Sequence, residues 1–122
     1  MGKRILVVDD SVMMRKMVKS ALESEDHEVV GEAKNGADAV ELYKTLKPDL
    51  VTMDITMREM DGFAAAREIL NHDPGAKIIF LSNLDEGRYR DSAMDIGALG
   101  YVSKSDHMQI LELIQGLCRE QR

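Results

Sequence analysis

Leu50-Val51-Thr52-Met53-Asp54-Ile55-Thr56 is a short apolar run of strand formers that rises from Lys47-Pro48-Asp49 and delivers one carboxylate, Asp54. A run of this length, bounded by a turn signal, reads as a buried strand. A second run, Arg4–Val8 (RILVV), ends in two more carboxylates, Asp9 and Asp10. Its apolar residues are continuous instead of alternating, the pattern of a central parallel strand covered on both faces. With the two strands side by side, three acids meet at one sheet edge. Acids so crowded repel one another unless a cation joins them.

Helical patterns separate the strands. Ser11 is a suitable N-cap, followed by Met14, Met17, Val18, Ala21 and Leu22 at helical spacing. A short strand is expected over 27–31, then a helix over 37–47 with Val40, Tyr43 and Leu46 on one face, stopped by Pro48. After the Asp54 strand come a loop over 57–62 and a helix over 63–72, ending before the turn signal Asp73-Pro74-Gly75. A strand over 77–81 ends at Ser82-Asn83, a helix over 86–96 closes at Gly97, and a strand over 99–102 leads to Ser103-Lys104-Ser105. Asp106 caps a last helix whose apolar set is Met108, Ile110, Leu111, Leu113, Ile114, Leu117 and Cys118. Strict alternation predicts an α/β fold: one doubly wound, five-stranded parallel sheet with helices on both faces. No linker or repeat divides residues 1–122 into more than one domain.

Composition narrows the function classes. The net charge of −6 argues against a basic nucleic-acid face. No apolar run approaches the ~20 residues that span a bilayer, and no signal-peptide pattern opens the chain. One cysteine, Cys118, makes no internal disulfide and fits a reducing compartment, so a cytoplasmic protein is expected. The 9 methionines suit core filling and an adaptable partner surface.

In doubly wound sheets, function gathers beyond the carboxyl ends of the strands, where strand order reverses. Strand one ends there in Asp9-Asp10, strand three in Asp54, strand four in Ser82, and strand five leads to Lys104. Hard cations such as Mg²⁺ take oxygen ligands, often one or two carboxylates plus phosphate and water. A carboxylate also serves as a nucleophile toward a phosphoryl group. The phosphoryl oxygens then need donors, which the cation, the Ser82 hydroxyl and the Lys104 ammonium supply.

This ordered set, Asp9-Asp10, Asp54, Ser82 and Lys104, resembles the receiver domain of two-component response regulators. The resemblance covers essentially the whole chain, including Met60-Asp61-Gly62 and Tyr101 three residues before Lys104. With nothing left over for an output domain, the chain is most similar to stand-alone, CheY-type chemotaxis regulators. The resemblance implies a flavodoxin-like strand order, 2-1-3-4-5. It makes Asp54 the phosphoacceptor, Asp10 a direct Mg²⁺ ligand, Asp9 a ligand through water, and the Thr56 backbone carbonyl the last protein ligand, with Mn²⁺ or Ca²⁺ as substitutes. Ser82 and Lys104 would hold the phosphoryl group. Tyr101 would turn inward as Ser82 moves, and the fourth helix, fifth strand and fifth helix would form the readout surface.

The implied partners are a histidine kinase as phosphodonor, a downstream target such as a flagellar motor switch protein, and a possible phosphatase. Neither nucleic acid nor membrane is among them, and the implied state is a monomer or a weak phosphorylation-dependent dimer. Such a protein catalyses only its own phosphorylation and dephosphorylation. Arg58 and Ser105 stand where the family commonly has proline, and Asn83 where a small residue is common. Thr56 and Leu84 stand where some members carry an amide or acid that orients water, so slow self-dephosphorylation is expected.

Each residue alone has a simpler reading. Asp9-Asp10 suits a helix cap, Ser82 a turn, Lys104 a solvated loop, and Tyr101 a core aromatic. His27, His72 and His107 read as surface histidines, and Arg88 and Arg90 as a solvated helix face. A phosphorelay intermediate that passes phosphate to a histidine phosphotransfer protein is the nearest alternative function. An aspartyl-phosphate phosphatase would need a second acid two residues after the nucleophile, where Thr56 stands. An FMN carrier would need a glycine- and hydroxyl-rich loop in place of Asp9-Asp10-Ser11, whose acids would repel the phosphate.

Overall fold

Strand and helix alternate from β1 (Arg4–Val8) and α1 (Val12–Ser24) through β2 (Glu28–Ala33), α2 (Gly36–Leu46), β3 (Leu50–Asp54) and α3 (Gly62–His72) to β4 (Ile78–Ser82), α4 (Glu86–Ile96) and β5 (Gly100–Ser103). This computed structural model describes residues 2–55, 61–82, 86–103 and 111–112, with the side chains at 82, 86–89 and 103 outside that description. All strand pairs are parallel, in the order β2-β1-β3-β4-β5. The expected doubly wound sheet and its order are those observed.

Successive side chains of a strand point to opposite faces, and this sorts the core in two. Ile5, Val7, Leu50, Ile79, Leu81 and Val102 pack on one face with Val18 and Leu22 of α1. Leu6, Val8, Val51, Met53, Ile78, Phe80 and Tyr101 pack on the other, under α2, α3 and α4. Central strands covered on both sides bury the side chains of both faces, so the RILVV and LVTMD runs do not alternate apolar with polar. Phe80 is fully buried and meets Phe63 edge-on, ring centroids 5.1 Å apart at 60°.

Local chemistry fixes the helix ends. Ser11, Asn35 and Asp61 accept the backbone N–H groups of Met14, Asp38 and Ala64 at 3.2, 2.8 and 2.8 Å, as side-chain N-caps do. At the end of α2, Arg4 donates to the carbonyls of Leu46 and Lys47 at 2.9 and 3.0 Å, placing a cation at the negative end of the helix. Gly97 ends α4 with φ +104, a conformation that strains any residue with a Cβ.

Two expectations need correction. β2 runs on to Ala33, past the expected stop at Gly31, because its ladder with β1 continues to the Val8–Ala33 pair. His27 is not a surface histidine: it is 8% exposed, and its Nδ1 accepts the Lys3 N–H at 3.0 Å. Burial holds its imidazolium pKa below the ordinary value. Of the expected last helix, residues 111–112 are helical, and Leu111 packs against the cluster of Ile5 and Val7; the rest of it lies outside the described residues, as does His107.

Candidate functional site

The strand order turns back at β1, so the crevice beyond the ends of β1 and β3 is the switch point of the sheet. Val8 is in register with Met53, so the residues that follow, Asp9 and Asp54, emerge beside each other. One carboxylate oxygen from each of Asp9, Asp10 and Asp54 lies within 4.8 Å of the others. Asp9 and Asp54 are 2% and 3% exposed, while Asp10 is open to solvent.

The loop carrying Asp9 is held at several points. The Asp9 N–H donates to the Ala33 carbonyl at 3.0 Å, extending the β1–β2 ladder one step. Its Oδ1 accepts the Ser11 N–H at 2.9 Å, an Asx turn that swings the chain into α1. Arg15 Nη1 donates to the Asp9 carbonyl at 2.6 Å, and its Nε donates to Glu32 Oε1 at 3.3 Å.

Asp54 is held from the other side by the start of α3. The Gly62 N–H donates to the Ile55 carbonyl at 2.8 Å. A Cβ on Gly62 would overlap the Asp54 carbonyl oxygen and stand 2.9 Å from the Ile55 Cα. Only glycine lets the helix close this far onto the backbone around the acid. Asp61, beside it, supplies the cap.

Three like charges at this spacing are costly. At 4.8 Å and an effective dielectric of about 20, each ionised pair repels by about 3.5 kcal/mol. A hard divalent cation relieves that repulsion, and an all-carboxylate oxygen set is the donor chemistry that Mg²⁺, Mn²⁺ and Ca²⁺ take. The residues present therefore fit such an ion.

Ser82 is the last residue of β4, its backbone in register with Ser103, one step beyond the Asp54–Leu81 pair. That register brings the backbone before Lys104 toward the same sheet edge. The Ser82 side chain, Thr56 and Lys104 lie outside the described residues, as do Arg58, Asn83, Leu84 and Ser105. Tyr101 is 4% exposed, and its hydroxyl has no hydrogen-bond partner among the described residues. Arg90, exposed as expected, holds its guanidinium carbon 6.0 Å from the Tyr101 ring centroid. Arg88 lies among the undescribed side chains. Thr52, two residues before the acid, has a buried hydroxyl that likewise lacks a partner among the described residues.

Sequence reasoning missed Arg15, since nothing in a first-turn arginine says that it reaches back to the Asp9 carbonyl. It quoted Met60-Asp61-Gly62 without the steric reason for the glycine.

A parallel sheet with three acids gathered at its switch point, two of them buried, defines an acidic-pocket α/β domain suited to a divalent cation. The chain belongs to the response regulator receiver domain family, whose family model matches residues 5–115. It is 50% identical to chemotaxis protein CheY of Thermotoga maritima over 104 residues, 85% of this chain and 87% of that one. Identity to CheY of Bacillus subtilis is 49% over 104 residues, with the same coverage. Among solved structures it is similar to the response regulator domain of Thermotoga maritima CheB, at TM-score 0.88 and 34% identity, covering 95% and 96% of the two chains. It is also similar to a CheX–CheY–BeF3–Mg²⁺ complex from Borrelia burgdorferi, at TM-score 0.89 and 31% identity, covering 93% and 87%.

Proposed function

We propose that residues 1–122 form a phosphorylation-operated switch of a two-component system, of the chemotaxis type. The observation that carries this reading is the convergence of Asp9, Asp10 and Asp54 within 4.8 Å at the switch point of a receiver-family sheet. Asp54 is the phosphoacceptor. One of its oxygens attacks the phosphorus of a phosphohistidine, the P–N bond breaks, and the electron pair and a proton go to the leaving imidazole. Asp10 would be a direct Mg²⁺ ligand, Asp9 would act through water, and the Thr56 carbonyl would complete the protein set. The bound cation neutralises charge on the phosphoryl oxygens. The Ser82 hydroxyl and the Lys104 ammonium donate to those oxygens, and Ser82 and Tyr101 form the switch.

The named relatives support the chemotaxis assignment, and the Borrelia burgdorferi structure, a complex with CheX, BeF3 and Mg²⁺, supports the cation and a protein partner. The donor would be a histidine kinase and the target a flagellar motor component. Neither the relay reading nor the phosphatase reading gains an observation of its own. No helix among the described residues is long and apolar enough to cross a membrane, consistent with work in the cytoplasm. The chain acts as a signalling protein that turns over no substrate but its own phosphoryl group.

Intact mass after incubation with a small phosphodonor tests this. The parent protein should gain one phosphoryl group with Mg²⁺ and none with a chelator, and Asp54→Asn should gain none. A parent protein that stays unmodified overturns the proposal.

A further inference from the structure

We infer that Arg15 is a positioning residue for the cation site, acting through the main chain of Asp9; this rests on the Mg²⁺ reading above. Arg15 lies on the first turn of α1, only 15% of its side chain exposed, and its guanidinium spans two elements. Nη1 donates to the Asp9 carbonyl at 2.6 Å, and Nε reaches Glu32 Oε1 on β2 at 3.3 Å. Lys19, one turn further along α1, holds the other Glu32 oxygen at 3.8 Å. Exposed ion pairs of this kind stabilise a fold little, so the value of Glu32 lies in orienting the guanidinium. The short charge-assisted hydrogen bond to Asp9 is the strong contact.

What that bond fixes is the peptide joining Asp9 to Asp10, and so the direction in which both carboxylates leave the loop. Asp9 also donates its N–H to Ala33 and accepts the Ser11 N–H on its Oδ1. Neither of these restrains its carbonyl. Without the Arg15 bond that peptide plane loses one of its holds, and the two carboxylates keep less well the spacing that one ion requires. Groups outside the ligand set that orient metal ligands typically contribute ~10–100-fold in affinity.

The sign of the effect separates this role from simple electrostatics. A guanidinium beside a cation site repels the cation, so if charge alone mattered, its removal would tighten Mg²⁺ binding. As a positioning group, its removal weakens binding.

The test is titration of the folded protein with MgCl₂, followed by backbone amide resonances, with thermal unfolding measured in parallel. Arg15→Met should weaken Mg²⁺ binding about tenfold, at the low end of the range because the contact is to main chain. Arg15→Lys keeps the charge but cannot make both contacts; it should recover part of the affinity and keeps the question answerable if Arg15→Met folds poorly. Because the native resonances report the folded fraction, a merely structural role would lower the unfolding temperature and leave the Mg²⁺ constant unchanged. Unchanged or tighter Mg²⁺ binding in both variants, with a responsive parent, overturns the inference alone. A parent protein with no Mg²⁺ response overturns the site reading and the inference together.

Discussion

Gly62→Ala is the substitution that probes how the phosphoacceptor strand is held. The added Cβ would overlap the Asp54 carbonyl oxygen and lie 2.9 Å from the Ile55 Cα, both of them backbone atoms. Backbone cannot rotate away as a side chain can, so relief requires the first turn of α3 to lift from β3. Overpacking of a filled site costs about 1–3 kcal/mol, and a backbone clash belongs to the upper part of that range. Alanine gives back up to about 1 kcal/mol through better helix propensity, which leaves a net loss of about 1–2 kcal/mol. For 122 residues, an unfolding entropy of about 2.1 cal/mol/K per residue makes each kcal/mol worth about 4 °C. The expected fall in Tm is therefore roughly 4–8 °C by calorimetry. Lifting α3 also disturbs the Gly62 N–H to Ile55 carbonyl bond at 2.8 Å, so phosphorylation by a small donor should slow. Gly75→Ala is the control, since a Cβ there meets only Asp73 Oδ1 at an ordinary 3.5 Å; its stability should stay within about 0.5 kcal/mol of the parent. A Gly62→Ala protein as stable as the parent or more so would refute the idea that α3 is clamped onto the Asp54 backbone.

Thr52→Val keeps the shape of a fully buried residue and removes a hydroxyl with no partner among the described residues; it should raise stability by about 1 kcal/mol in urea unfolding, and a loss of that size would contradict this. His27 gives a pH dependence whose sign is fixed. Burial lowers its folded pKa below the unfolded ~6.5, so the unfolded chain binds more protons between the two values. Stability is then fully present above about 6.5 and is lost as pH falls from there toward the depressed folded value; His27→Gln should flatten that part of the curve, and an unchanged slope would count against it. Self-dephosphorylation, followed by loss of the phosphoprotein's added mass, should be slow, and Leu84→Glu or Thr56→Gln should speed it by placing a group that orients water. A phosphoprotein lifetime unchanged in both variants would contradict that reading.

The β1 and β3 runs were readable because a strand covered on both faces is apolar almost throughout, with Thr52 the one buried hydroxyl. Asp9, Asp10 and Asp54 were readable as a set because strand ends in this topology converge on the switch point, whatever the loops do. Edges and contacts through space were less legible. β2 is half exposed, so its polar Glu32 hid the continuation to Ala33 that the β1 ladder enforces. His27 read as a surface histidine, and nothing in its own segment signals the Lys3 backbone N–H that its Nδ1 accepts. Arg15 carries no sequence signal for a bond to a main-chain carbonyl six residues back. The glycine of Met60-Asp61-Gly62 was visible, but its reason is a close approach of two backbones that no one-dimensional pattern records.

The most direct test of the central claim is to trap the acyl phosphate chemically and locate it. Borohydride reduces an aspartyl phosphate to homoserine, so the parent protein, treated with Mg²⁺ and a small phosphodonor, reduced and digested, should yield homoserine at position 54 in its peptide map. Homoserine at position 9 or 10 instead, or none at any position in a protein that carries phosphate, would contradict the assignment of Asp54 as the acceptor.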